Sequence, residues 1–231
     1  MPKNLKYLTI LVGLSGLLVP CLVVYRLHVS SRAEGDQKRS PNSATLNFHN
    51  EQHTELDELL KALSVRDEDT RKTARARVLE LAEQSSESYQ LVISALMKRV
   101  QEASFQQNLI TGEGSHFWVE TCRIFEDLKP VEAMKLLIDC IDYPAITEMV
   151  NNRYRDRPAM GALTSMGQTA VPELVKILSH TNPNVRIEAT ICLGNIQGAK
   201  ARAGLVEALR NEQDEYVRTE MQNAIAAIDR G

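Results

Sequence analysis

An all-α solenoid, built of helix pairs stacked in single file, is the fold class this sequence predicts, and three observations carry it. One unit is written twice near the C-terminus: at a spacing of 32 residues Val185-Arg186 returns as Val217-Arg218, Asn182 as Asp214, Leu193 as Ile225 and Ile196 as Ile228. Each period holds two apolar stripes of helical spacing, the pattern of repeats that bury their faces against their neighbours. Aromatics are only 5% of the residues while Ala, Leu, Glu and Arg abound, a composition that favours helix over sheet.

The chain opens on residues 1–29. Tyr7 to Tyr25 is an uncharged apolar run framed by Lys3, Lys6 and Arg26. As a helix it would span about 28 Å, close to the hydrocarbon thickness of a bilayer. The run is read as an uncleaved single-pass anchor. A cleaved signal ending near Ala33 and a lipoprotein box around Cys21 are the alternatives. The basic residues flanking the run, Lys3 and Lys6 against Arg26, Arg32, Lys38 and Arg39, point to a cytoplasmic C-terminal domain. A short basic tail before a first apolar segment is also how exported, anchored domains begin, and export is the reading adopted. Residues 30–54 are rich in Ser, Asn, Gln and charges and read as a flexible linker.

A helical period runs through 55–231. Leu56, Leu59, Leu60 and Leu63 form a first stripe, and Ala74, Val78, Leu79 and Ala82 a second. Asp67 and Arg71 between them repeat the spacing of Asn182 and Arg186. Ser86 or Ser88 is expected to cap a helix from Tyr89 to about Gln107, and Ser115 one carrying Trp118, Cys122, Phe125 and Leu128. Lys129-Pro130 opens a further helix with Ala133, Leu136, Leu137 and Cys140 on one face. Asp142 to Arg157 interrupts the rhythm as an insertion, and Ala159, Leu163, Met166 and Gly167 resume it. Insertions in such arrays map to loops on one face, often the binding face.

The best repeats are 170–198 and 199–229. Val171, Leu174, Val175 and Leu178 stripe a first helix, with Pro172 in its first turn, where a missing N–H costs nothing. Asn182 and Asp214 stand where a turn hands over to the second helix, and a short polar side chain there accepts bonds from exposed N–H groups. Arg186 and Arg218 follow four residues later. Arg71, Arg186 and Arg218 are therefore read as structural positions, with Asp67, Asn182 and Asp214.

The pattern A-V-P-x-L-x-x-x-L, a turn, then N/D-x-x-V-R-x-x-A-x-x-x-L-G is similar to the HEAT-like repeats of phycobilisome lyases and other bacterial proteins. Ala170 to Gly194 carry it fully. In Ala203 to Ile228, Ala203-Gly204 replaces Val171-Pro172 and Met221 stands for Ala189, as in a terminal capping repeat. The resemblance implies a right-handed α-solenoid of four or five HEAT-like pairs and, as one possible activity, a lyase or chaperone-like factor for a chromophore.

The chemistry sought in the sequence is sparse. Residues 1–32 hold four basic residues and no acidic ones, which leaves 27 − 4 = 23 basic against 30 acidic residues, an excess that argues against nucleic acid. No phosphate loop, dinucleotide fingerprint or nucleophile elbow occurs, so no catalytic, cofactor or metal residue is assigned. His49 and His53 lack a third ligand. Cys122, Cys140 and Cys192 lie singly on helical stripes and read as core. Arg153, Tyr154, Arg155 and Arg157 are the candidate partner-binding residues, because arginines around a tyrosine in an exposed insertion suit an acidic surface. The expectation is a non-enzymatic, membrane-tethered scaffold for an unknown protein partner.

Overall fold

Short side chains start the helices at regular points along the chain. A computed structural model describes residues 43–102, 113–143 and 157–231. Among them are ten α-helices and no strand. They are α1 (Ser43–Ala62), α2 (Glu68–Glu83), α3 (Ser86–Gln101), α4 (Glu113–Leu128), α5 (Met134–Asp139), α6 (Pro158–Ser165), α7 (Val171–Lys176), α8 (Pro183–Ile196), α9 (Ala199–Asn211) and α10 (Glu215–Arg230). Single 3-10 turns precede α5 and follow α7.

Asp67, Asn182 and Asp214 are the N-caps of α2, α8 and α10. Asp67 accepts from the Thr70 N–H at 2.8 Å, Asn182 from Asn184 at 3.0 Å, and Asp214 from Tyr216 and Val217 at 2.9 and 3.1 Å. Each satisfies orphan N–H groups that would otherwise need water. Pro158, Pro172 and Pro183 occupy the first turns of α6, α7 and α8, where they cost no hydrogen bond.

The helices pair and the pairs stack. Helices α1 with α2, α5 with α6, α7 with α8, and α9 with α10 are packed partners, and α3 lies on α2. The even-numbered helices also touch in series, α2 to α4 to α6 to α8 to α10. Of the odd-numbered helices, α7 and α9 pack together in the same manner. A single buried cluster runs through all the pairs, with Trp118, Phe117 and Phe125 its largest members. Fully burying one such side chain stabilises by roughly 1.5–3 kcal/mol, and no pair could bury its stripe without the next. Small residues set the closest approach: a Cβ on Gly194 of α8 would stand 3.1 Å from the Ala224 Cβ of α10.

Three expectations are corrected. The linker assigned to 30–54 ends sooner, because α1 begins at Ser43. Polarity there does not mean solvation, since Gln52 is buried and its amide donates to Gln84 Oε1 at 3.1 Å and Ser88 Oγ at 3.4 Å. The cap of α3 is Ser85, which accepts from the Ser88 N–H at 3.0 Å, rather than Ser86 or Ser88. Ser115 lies inside the first turn of α4 and is fully buried, so it does not cap that helix. The apolar run 7–25 falls outside the described residues, among which no helix is long and apolar enough to cross a membrane.

Candidate interaction surface

The repeated arginines tie each turn to its own pair, and two of the three also reach the next. Arg71 Nη1 donates to the carbonyls of Val65 and Arg66 at 2.8 and 2.6 Å, and Arg186 Nη1 to those of His180 and Thr181 at 2.7 and 3.2 Å. Arg218 Nη1 reaches the carbonyls of Glu212 and Leu209 at 2.9 and 3.3 Å. These carbonyls belong to the turn before the helix, except that of Leu209, which lies in the last turn of α9, and the guanidinium closes the turn from outside.

Two of these arginines also meet a buried carboxylate of the next pair. Arg186 grips Glu212 with two parallel bonds, Nε to Oε2 at 2.6 Å and Nη2 to Oε1 at 2.9 Å, while Oε1 also accepts the N–H groups of Gln213 and Asp214. Burial by itself would raise the Glu212 carboxyl, but the Arg186 pair and the two backbone donors hold it below the ordinary carboxylate range. Arg71 Nε lies 3.5 Å from Oε1 of Glu120 on α4. Arg157, before α6, stands 3.6 Å from Glu188 on α8. Glu120 and Glu188 are equivalent positions, each five residues before the apolar Phe125 or Leu193, and both are buried. Sequence reasoning missed all three glutamates. The available signal was an acidic residue set directly among apolar ones, as in Trp118-Val119-Glu120 and Ile187-Glu188-Ala189.

An open groove of about 510 Å³ lies between α7 and α9. Val175, Leu178, Gly204 and Ala208 give it apolar walls, and His180 and Glu207 a polar rim. Gly204 is required by the approach of the two helices, since a Cβ there would stand 2.4 Å from Val175 Cγ2. The turn that borders this groove, together with α8 after it, also holds the two ends of the insertion. Asp142, at its start, accepts from the Asn182 amide at 3.0 Å, and Arg157, at its end, meets Glu188. Both ends are thus fastened to the first turns of α8. Arg153, Tyr154 and Arg155 lie outside the described residues.

The other candidates resolve simply. Cys122, Cys140 and Cys192 are buried free thiols; desolvation pushes Cys140 and Cys192 up to about 12 and Cys122 well above its ordinary value. His53 is an exposed residue of α1, and His180 Nδ1 accepts from the Asn182 N–H at 3.1 Å. Trp118 is fully buried, with the ring of Tyr143 tilted against it at 6.5 Å. No group of three His, Cys, Asp or Glu residues that could hold a metal occurs among the described residues.

Residues 151–226 match the family of HEAT repeats. Among solved structures, the chain matches an engineered protein from a structural genomics consortium at 22% identity and a TM-score of 0.32, over 77% of this chain and 48% of that one. The chain therefore spans about half the length of that relative. No curated protein matches. The match to HEAT repeats thus covers the C-terminal third of the chain, where α6 to α10 stack as helix pairs.

Proposed function

We propose that the chain is a non-enzymatic scaffold for protein–protein interaction, held at a membrane by residues 7–25 with its right-handed repeat stack on the extracytoplasmic side. The observation that carries the reading is the groove between α7 and α9, bordered by the turn before α8, with one end of the insertion fastened to that turn and the other to α8 itself. A rigid stack presents such a surface with little ordering cost on binding. Arg153, Tyr154 and Arg155, in the insertion, are the residues whose cations and aromatic ring suit an acidic protein surface, and the acidic excess of the chain disfavours nucleic acid.

Chemical cross-linking of the full chain in native membranes, followed by affinity capture, tests this. Wild type is compared with R153A/R155A and with Ser179→Arg, which fills the groove from an exposed position. Arg157 is left in place because it meets buried Glu188. A discrete partner captured by wild type and lost from both variants is the expected result; a partner retained by both refutes the assignment. Protease accessibility in intact cells decides the side of the membrane. A lyase or chaperone-like factor of the phycobilisome-lyase type is the alternative that the repeat resemblance implies, and bilin binding with a visible absorbance shift would replace the scaffold reading.

A further inference from the structure

Buried carboxylates in this molecule differ in how many cations they hold. Glu212 is matched by one arginine, Arg186, and the pair is complete. Glu120 has three. Arg71 lies 3.5 Å from Oε1, Arg75 Nη1 donates to Oε2 at 2.6 Å, and Arg123 Nη1 donates to Oε1 at 2.8 Å. Arg71 also closes its own turn through two carbonyls, so its presence is explained. Arg71 alone balances Glu120, so Arg75 and Arg123 exceed what that one carboxylate needs; Glu126 shares the field of both and Glu68 that of Arg123. Arg75 and Arg123 each spend a single nitrogen on Glu120. Their side chains run from the buried carboxylate to the surface, 24% and 37% exposed against 1% for Glu120. A guanidinium pinned at one nitrogen has lost most of its rotamer freedom, and its outward N–H groups remain a planar fork suited to a carboxylate.

We propose that Arg75 and Arg123, held in place by Glu120 at the junction of α2 and α4, form a carboxylate-binding site for paired acidic side chains of a partner protein. The inference rests on the scaffold reading only in taking the partner to be a protein. The surrounding domain is acidic, so the site favours a short segment with two carboxylates over a long polyanion, which the rest of the surface repels. Glu126, one turn beyond Arg123 and half-buried, is the built-in competitor: its carboxylate lies within the field of both arginines. Occupation by a partner carboxylate therefore works against Glu126, and removing its charge strengthens binding.

The test is a titration of the full chain in detergent micelles, followed by the arginine Nε–H resonances in NMR. The probes are a neutral Gly-Ser peptide with one central Glu-Glu pair, the same peptide with Gln-Gln, and inorganic phosphate. The Glu-Glu peptide is expected to shift the Arg75 and Arg123 signals, with salt weakening the effect. R75Q/R123Q removes both charge-assisted contacts and is expected to lose about a hundredfold in affinity, roughly tenfold for each. Because R75Q/R123Q also weakens the clamp on Glu120, R75K/R123K keeps the charge and loses the fork, and is expected to bind several-fold more weakly. E126Q leaves the clamp intact and is expected to bind about twofold more tightly, as suits a partly exposed competing charge. Equal shifts with the Gln-Gln peptide, tighter binding of phosphate, or unchanged affinity in E126Q would overturn the site. None of these outcomes bears on the groove beside α8, which the cross-linking experiment tests separately.

Discussion

Gly204→Ala sets two known effects against each other. Alanine in place of a helix-interior glycine favours the helix by about 1 kcal/mol. Here the added methyl would stand 2.4 Å from Val175 Cγ2 and 3.1 Å from Cγ1, while Val175 Cβ at 3.4 Å is in ordinary contact. Valine on a helix has one strongly preferred rotamer, so it cannot turn both methyls away. Overpacking of this kind costs about 1–3 kcal/mol. The clash wins, and a net loss of about 1 kcal/mol lowers the melting temperature of a domain of this size by about 2–4 °C. Val175→Ala removes both offending methyls and nothing else at the contact. In that background Gly204→Ala should raise stability by about 0.5–1 kcal/mol, because only the propensity gain remains. Thermal unfolding of the four proteins by circular dichroism at 222 nm measures the cycle. A stabilising Gly204→Ala in wild type, or no change of sign with Val175→Ala, would refute the packing argument for the groove wall.

Two further outcomes follow from the carboxylates. Arg186→Met leaves Glu212 buried with backbone donors alone and should cost about 3 kcal/mol in urea unfolding, the scale for breaking one side of a buried pair; Glu212→Gln in the same background should recover part of it. Burial raises the Glu126 carboxyl, with Arg123 and Arg75 opposing and Asp127 adding to the rise. A folded-state value above the unfolded one means the protonated form suits the fold, so this contribution is fully favourable at pH below the ordinary carboxylate range and is lost as pH climbs through the raised value. Glu126→Gln should therefore unfold at higher urea than wild type at pH 7 and at a nearly equal concentration near pH 4.

Much of the architecture was legible without coordinates because its rules are local. Asp67, Asn182 and Asp214 announce helix starts through the chemistry of a short acceptor next to orphan N–H groups, and each is an N-cap. Leu56, Leu60, Leu163, Leu174 and Leu193 announce buried stripes through spacing alone, and all are buried. The errors fell where polar residues take structural roles. Gln52, in the segment read as a linker, is a buried residue of α1 whose amide donates to Gln84 just after α2 and to Ser88 of α3, partners outside the reach of composition. Ser115 looked like a cap and is an interior residue of the first turn of α4.

What this sequence determined by itself is the kind of unit and where many of its helices start, since helix periodicity, caps and proline placement act over a few residues and are written in order along the chain. What the tertiary structure decided is which charges meet. Arg75 is 45 residues from Glu120, and Arg186 is 26 from Glu212. Their pairing depends on how far each pair is rotated and shifted on the last, a quantity fixed by close contacts such as Gly194 on Ala224 and Gly204 on Val175. Packing of this kind is a property of surfaces brought together, and no periodicity within either helix encodes it.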